Sequence, residues 1–182
     1  MSESKLVQID SVPTSIEEFL SMRNEVATTP EGGAVMMVVA LMVYADDEQV
    51  GLQCLTVAVD QSRLMDGPKG YKGRQLANNN LQRIRLQIGG KEYMPNSYVQ
   101  GTSPQNGYRL PDDPPYGFAC SSNPYSGDAS SGTYKVFVAT SGAPTPRPVT
   151  VKVNDKGIWK ASEWSSLIVG VQTPQETRAD DL

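Results

Sequence analysis

The segment between residues 67 and 74 combines the residue types most often used to bind phosphate. Its three glycines follow a GxxGxxG spacing and are interleaved with the basic residues Lys69, Lys72 and Arg74. Glycine-rich basic loops bring backbone N–H groups and cations close to phosphate, and a GxxG loop clamps nucleic acid in KH domains. However, the segment lacks the GK[ST] ending of a phosphate loop, and helices rather than strands are predicted on both sides of it. Phosphate or nucleic-acid binding by this basic glycine segment (67–74) is therefore the alternative to a flexible connection with a solvated basic surface.

The chain of 182 residues contains no histidine. This excludes Ser-His-Asp and Cys-His nucleophilic catalysis and histidine general bases, and it argues against most zinc enzymes. Cys54 and Cys120 are the only cysteines, have no CxxC spacing, and are predicted to be reduced and buried. We therefore predict no metal and no cofactor. A histidine-free enzyme that works with carboxylates, lysine or tyrosine is kept as an alternative.

Pairs of adjacent aspartates occur at positions 46–47, 112–113 and 180–181. Chemistry by two carboxylates needs groups that face each other at a defined separation. The side chains of sequence neighbours point apart on a helix or a strand. No catalytic residue is predicted from these pairs.

Tyrosines are concentrated in the second half, where six of the eight lie between residues 93 and 134. They are interleaved with serine, glycine and asparagine, a mixture typical of recognition surfaces because rigid amphipathic rings are combined with adaptable hydrogen bonds. The structural alternative is a set of half-buried tyrosines that fasten irregular loops to a small sheet. As a binding surface, this region would contact a partner protein through Tyr98, Tyr108 and Tyr116.

Two further residues are candidates for partner contact. Arg147 lies in a TPRP sequence whose prolines favour extended backbone, which suits either a stiff strand entry or a proline-rich ligand. Trp159 and Trp164 are five positions apart and would face opposite sides of a regular strand, so one is expected in the core and the other at the surface. We therefore name Arg147 and Trp159 with the three tyrosines.

The first half of the chain is predicted to be helical. The run of twelve apolar residues from Ala34 to Ala45 is too short to span a membrane and predicts a central helix buried on nearly all sides. A first helix is expected after Pro13-Thr14-Ser15, where a hydroxyl can cap the free N–H groups. A third should begin at Asp46 or Asp47, with an apolar pattern that ends at Met65. A fourth is predicted over 74–88, closed by two glycines.

The second half, from residue 91, has the pattern of strands and turns. Short runs such as SYVQG, YGFACS and TYKVFVATS are bounded by proline, glycine and asparagine. Residues 149–153 alternate valine with polar residues, which predicts a strand with one wet face, and NDKG predicts a hairpin connection after it. A last short strand is expected at 167–169. The tail, 172–182, has little apolar surface to bury and is predicted to be mobile.

The charges are distributed unevenly along the chain. Residues 1–62 carry ten acidic and two basic residues, a sum of −8; residues 63–91 carry one acidic and seven basic residues, a sum of +6. Residues 92–182 add nine acidic and seven basic residues, a sum of −2, which completes the net charge of −4. Such polarisation can orient a partner. The polar N-terminus is unlike a signal peptide, so we predict a cytoplasmic location and no membrane association.

Several C-terminal segments resemble a family of uncharacterised bacterial proteins. The segments are SYVQGTSPQNGY (97–108), KVFVATSGAPTPRPVTVK (135–152) and the stretch between the two tryptophans. That family has an apolar helical N-terminal half that ends in a tyrosine, similar to ALMVYADD here, so the resemblance covers nearly the whole chain. It implies an apolar helical half followed by a strand-rich half, and it implies no reaction.

We expect a single domain over 1–182 with an α+β fold, formed by a helical half (1–90) and a strand-rich half (91–171). About four helices should pack with an antiparallel sheet of four to six strands. The predicted function is that of a non-enzymatic bacterial module that binds another protein, as an accessory or adaptor in a larger assembly. A toxin-neutralising (immunity-type) partner is an alternative, and nucleic acid is not the expected partner.

Overall fold

The computed structural model describes residues 3–175 of the chain. The helices are α1 (Ile16–Val26), α2 (Pro30–Asp46), α3 (Glu48–Ala58) and α4 (Asn78–Ile88). A five-stranded antiparallel sheet contains β1 (Glu3–Ile9), β4 (Tyr116–Ser122), β5 (Thr133–Val138), β6 (Arg147–Val153) and β7 (Trp159–Glu163). A separate hairpin contains β2 (Leu64–Tyr71) and β3 (Arg74–Leu76). The predicted α+β fold, with about four helices and four to six strands, is confirmed.

Helix α2 is the centre of the fold, as the apolar run predicted. Every residue from Glu31 to Tyr44 is buried. The helix begins earlier than the apolar run, because Thr29 caps it by accepting a hydrogen bond from the Gly32 N–H at 3.0 Å. Gly33 lies inside the helix, where a Cβ would stand only 2.6 Å from the Cβ of Trp159. Glycine is needed there because β7 crosses the helix at this point.

The sheet has the strand order β1-β4-β5-β6-β7, and its inner face packs on α2. The alternation predicted for 149–153 is present, since Val149 and Val151 are buried while Thr150 and Lys152 are only partly buried. The strand at one edge, β1, comes from the N-terminus and pairs with β4. Lys5 joins β1 to the start of α2, with its Nζ 3.5 Å from a Glu31 carboxylate oxygen.

The predicted starts of α1 and α3 are confirmed. Ser15 caps α1 by accepting from the Glu18 N–H at 3.1 Å, and the Glu18 carboxylate accepts from the Thr14 N–H at 3.0 Å. Asp47 caps α3 by accepting from two backbone N–H groups. The prediction that the α3 pattern extends to Met65 was wrong. The helix ends at Ala58, and Met65 lies in β2.

Three other predictions of local structure are corrected. The fourth helix begins at residue 78 rather than 74, because residues 74–76 pair with β2. The runs SYVQG and 167–169 are not strands. The first two residues of each run close a short 3-10 helix, Met94–Tyr98 in one case and Ser165–Ile168 in the other. Four of their apolar side chains are buried without strand pairing, those of Tyr98, Val99, Leu167 and Ile168, whereas Val169 is 57% exposed. An apolar run can therefore be buried on irregular backbone as well as on a strand.

The first residues of the tail make backbone hydrogen bonds to the body of the fold. The Gln172 N–H donates to the Gly142 carbonyl at 2.9 Å, and the Gln175 N–H donates to the Pro104 carbonyl at 2.8 Å. The mobility of the tail stays a prediction. Residues 176–182 lie outside the described residues.

Both cysteines are free and buried, as predicted. Burial raises the pKa of each thiol, of Cys54 and of Cys120, to about 12. These thiols are therefore neutral and unreactive at physiological pH. Within residues 3–175, no helix combines the length and apolar character needed to cross a membrane.

Candidate functional site

The basic glycine segment (67–74) forms most of the β2–β3 hairpin rather than a loop between helices. Its tip is a two-residue turn at Lys72 and Gly73, whose φ angles are 52° and 78°. Positive φ at both central residues is the signature of the tight turn that suits antiparallel strands, and glycine adopts it without strain. The last glycine of the spacing is thus explained by the turn.

The other two glycines are explained by close packing. A Cβ at Gly67 would lie 2.0 Å from the side-chain oxygen of Gln75, and a Cβ at Gly70 would lie 2.1 Å from the Arg74 carbonyl oxygen. Gln75 is buried, and its amide accepts from the Lys69 N–H and donates to the Leu76 carbonyl. The bulged strand β2 therefore folds around the Gln75 side chain at Gly67, whereas Gly70 makes room for the backbone of β3 and for the Thr56 hydroxyl.

The hairpin does not bring its three cations together on one ligand. Arg74 forms an ion pair with Asp66 at 2.9 Å and also donates to the Leu64 carbonyl. The Nζ of Lys72 lies 5.4 Å above the ring of Tyr71, at the exposed tip. Lys69 faces a different cleft, between the hairpin, α3 and α4. No contact on the described residues joins these three groups into a phosphate site.

Tyr98 and Tyr108 are completely buried, and their hydroxyls are used inside the protein. The Tyr98 hydroxyl donates to the Leu167 carbonyl at 2.6 Å, and that of Tyr108 donates to the Gln172 carbonyl at 2.5 Å. Burial raises the pKa of both phenols. The Tyr108 ring also stacks on that of Tyr93, with centroids 5.5 Å apart. The rings of Tyr98 and Tyr108 therefore fasten the C-terminal segment to the core and offer little surface to a partner.

Arg147 is also engaged internally. Its guanidinium donates to the carbonyls of Ser166 at 3.0 Å, Val169 at 2.9 Å and Gly170 at 3.2 Å. A planar guanidinium with several donors is well suited to bind three carbonyls of one turn at once. The residue therefore clamps the chain after β7 onto the start of β6.

The two tryptophans do not divide into one buried and one exposed residue. Trp159 is 8% exposed and Trp164 is 5% exposed. A register shift separates the β6–β7 pairs, and β7 ends at Glu163, so the alternation of a regular strand does not continue to Trp164. The expectation of a surface tryptophan was therefore wrong.

Of the five candidate contacts, only Tyr116 and Arg147 are partly exposed, and Tyr116 pairs with Ile9 of β1.

The feature that sequence reasoning missed is the free edge of the sheet at β1. Strand β1 pairs with β4 through all seven residues and has no strand on its other side among the described residues. The opposite edge is different, because the Asp60 N–H donates to the Ala161 carbonyl of β7 at 2.7 Å. An edge strand presents unpaired backbone donors and acceptors to another chain.

The hydrogen bonds of β4 show which residues of β1 face outward. The carbonyls of Gly117 and Ala119 accept from Gln100 and Ala139, on the side of β4 away from β1. Backbone groups alternate in direction along an antiparallel strand, so the register places the backbone groups of Leu6 and Gln8, the partners of those two residues, toward the free edge. The groups of Lys5, Val7 and Ile9 bond to β4. Leu6 also exposes 52% of its surface.

A groove runs between this edge and α1 and encloses about 490 Å³. The helix contributes one stripe at helical spacing, which comprises Glu18, Ser21, Met22, Glu25 and Val26. The strand side contributes Gln8, Ile9 and Asp10, and the turn between them adds Ser11 and Pro13. The groove is thus lined by β1, α1 and the turn between them, and by no residue of β4.

The groove has an apolar floor and an acidic rim. Ile9 is buried, and Met22 and Val26 are partly buried, whereas Asp10 and Glu25 are exposed. Arg23, the one base of α1, turns away and donates to the Val57 carbonyl at 3.1 Å. Burial lowers the pKa of its guanidinium. We call this surface the β1–α1 groove.

The described residues contain no group of three Cys, Asp or Glu side chains placed to hold a metal ion. Two of the adjacent aspartate pairs serve local structure: Asp47 caps α3, and Asp112 forms an ion pair with Arg109 at 3.0 Å. The third pair lies outside the described residues.

Comparison with known proteins gives a family and no function. No curated protein and no solved structure matches the chain. A family model described as "Domain of unknown function (DUF6935)" matches residues 11–175. The match covers α1 to β7 and begins after β1. The chain therefore belongs to the DUF6935 family, as its resemblance to uncharacterised proteins had indicated.

Proposed function

We propose that this chain is a non-enzymatic protein-binding module that captures an extended segment of a partner by adding it as a strand to β1. The observation that carries the proposal is the free edge, where backbone groups of Leu6 and Gln8 point away from β4. Strand addition obtains its affinity from main-chain hydrogen bonds and its specificity from pockets for alternate side chains. The β1–α1 groove supplies such a pocket beside the edge.

The proposal differs in its surface from the interface predicted from sequence. Tyr98, Tyr108 and Trp159 are buried and support the scaffold in our proposal. Tyr116 is partly buried and lies beside Ile9, behind the edge. Because β1 precedes the range that matches the family, we propose this interface for this chain and not for the family.

Two versions of the role use the same surface. An adaptor in a larger assembly would hold a segment of another subunit, whereas a toxin-neutralising partner would hold a segment of a toxin. Both suit the bacterial origin and the cytoplasmic location that we propose. The cytoplasmic location is supported by the two thiols, which are free. Binding of a phosphate ligand or nucleic acid by Lys69, Lys72 and Arg74 is less well supported, because these groups diverge.

A pair of substitutions at one position tests the proposal. Leu6→Pro removes an outward N–H and places a ring at the edge, while the bonds from β1 to β4 are kept. Leu6→Ala removes the exposed side chain but keeps the N–H. Tagged chains would be used to retain binding proteins from a lysate of the source cells.

We expect the wild-type chain to retain one protein in stoichiometric amount, Leu6→Ala to retain part of it, and Leu6→Pro to lose it. In the complex, amide hydrogen exchange at Leu6 and Gln8 should slow, because a partner strand would accept from these N–H groups. A protein retained equally by Leu6→Pro, or bound without slower exchange at these two amides, would contradict strand addition.

A further inference from the structure

We infer that the segment captured at β1 is basic: an extended stretch that carries lysine or arginine together with apolar side chains. This inference rests on the proposed function, since it describes what the β1–α1 groove selects. Glu18, Glu25 and Asp10 line the groove, and none of its described lining residues is basic. The surface therefore has a local charge that repels an acidic segment and attracts a cationic one.

The geometry allows the two kinds of side chain to be satisfied together. Along an added strand, every second side chain would point to the same side of the sheet as Val7 and Ile9, into the groove. Apolar groups there would cover Ile9, Met22 and Val26, and longer cationic side chains would reach past them to the rim. Lysine and arginine suit such a site because their aliphatic stems pack on apolar surface while the charged ends remain in water.

The same charges argue against a second copy of this chain as the occupant. Two copies that paired through β1 would bring two acidic grooves together, and residues 1–62 carry a sum of −8 from ten acidic and two basic residues. Like charges across an interface oppose association. A basic segment of another protein is the occupant that the groove favours.

Selection from a displayed library identifies the preferred sequence directly. The probe is a phage-displayed library of randomised peptides of about eight residues, long enough to pair with the seven residues of β1. Selected peptides would then be synthesised and measured against the folded variants Leu6→Pro, Glu25→Gln and Glu17→Gln. Glu17 is the matched control, since it is an exposed acid of the same helix that does not line the groove.

We expect peptides enriched in lysine and arginine, whose binding is lost with Leu6→Pro. Glu25→Gln should weaken them by roughly three- to tenfold, and Glu17→Gln by less than about twofold, because a charge outside the groove is screened by salt. Binding should also weaken as the NaCl concentration is raised.

The possible failures are distinguishable. Peptides that depend on Leu6 but are not basic, or that weaken equally with Glu17→Gln and Glu25→Gln, would overturn the inference and leave the proposed function standing. Peptides that bind Leu6→Pro as well as wild type would overturn the proposed function. A Leu6-dependent dimer in sedimentation would also overturn the inference, because the occupant would then be a second copy.

Discussion

Adjacent proline substitutions in β1 provide the most direct test of the free edge. The backbone N–H of Val7 bonds to β4, opposite Phe118, whereas that of Leu6 points outward. The two residues are neighbours and both have extended backbone, so proline meets similar steric demands at each. The difference between Leu6→Pro and Val7→Pro therefore measures the direction of one N–H group.

The expected sizes follow from the contacts. Val7→Pro deletes a ladder hydrogen bond, leaves the carbonyl of buried Phe118 without its donor, and removes a partly buried side chain. Together these changes should cost about 3 kcal/mol or more. Leu6→Pro removes only a side chain that is 52% exposed, and should cost less than about 1 kcal/mol.

Urea unfolding monitored by tryptophan fluorescence is a suitable assay, because both tryptophans are buried. With a slope of about 2 kcal/mol per molar urea, the midpoint of Val7→Pro should fall by about 1.5 M and that of Leu6→Pro by less than about 0.5 M. Circular dichroism before unfolding would show that both variants are folded. Equal shifts, or a larger shift for Leu6→Pro, would refute the assigned register and with it the free edge.

Three other predictions concern the scaffold. Tyr98→Phe should lower the free energy of unfolding by about 1–3 kcal/mol, measured by urea titration, because it leaves a buried carbonyl unpaired; an unchanged stability would show that the hydroxyl is not used there. Stability should fall as the pH rises above about 9, because the pKa of the buried Cys54 and Cys120 thiols is about 12 in the folded chain and 9.0 in the unfolded one, so the unfolded state releases protons first. The loss by pH 10 should be on the order of 1 kcal/mol per thiol in urea titrations, and replacing both thiols by alanine should flatten this pH dependence. Gly70→Ala should cost more than about 2 kcal/mol and Gly73→Ala only about 1 kcal/mol in the same assay, because only the first would place a Cβ against backbone; the reverse order would mean that the hairpin is not packed as described.

Local rules accounted for much of the helical half. The apolar run from Ala34 predicted a buried helix, because a helix that is apolar on all sides must be covered on all sides to keep those side chains out of water. The helix is buried from Glu31 to Tyr44. The starts of α1 and α3 followed from Ser15 and Asp47, whose side chains accept from nearby N–H groups. These features depend on residues a few positions apart.

The basic glycine segment shows where local rules were insufficient. Its composition fits a phosphate-binding loop as well as a hairpin, and helices were predicted on both sides. The choice depends on Gln75, whose buried amide holds the bulged strand, and on the pairing of residues 64–66 with 74–76. Nothing in the GxxGxxG spacing indicates that a glutamine side chain fills the space at Gly67, or that the backbone of β3 fills the space at Gly70.

The tyrosines illustrate a second limit. Sequence composition identified a region rich in tyrosine but could not distinguish a recognition surface from internal fastening. The decision lies in partners far along the chain: Tyr98 bonds to a carbonyl 69 positions away, and Tyr108 to one 64 positions away. A tyrosine becomes part of the scaffold only when such a partner and a cover of apolar side chains are present.

The sequence by itself determined the fold class, the central helix, the helix caps and the uneven distribution of charge, because each depends on residue types and short-range spacing. The tertiary structure alone decided which side chains reach the surface and which sheet edge is left unpaired. Strand β1 reaches the edge of the sheet by pairing with β4, a strand more than 100 residues away in the sequence. Helix α1 forms the other wall of the acidic groove. Burial and edge pairing are properties of contacts between distant segments, so they emerge only when the chain is folded.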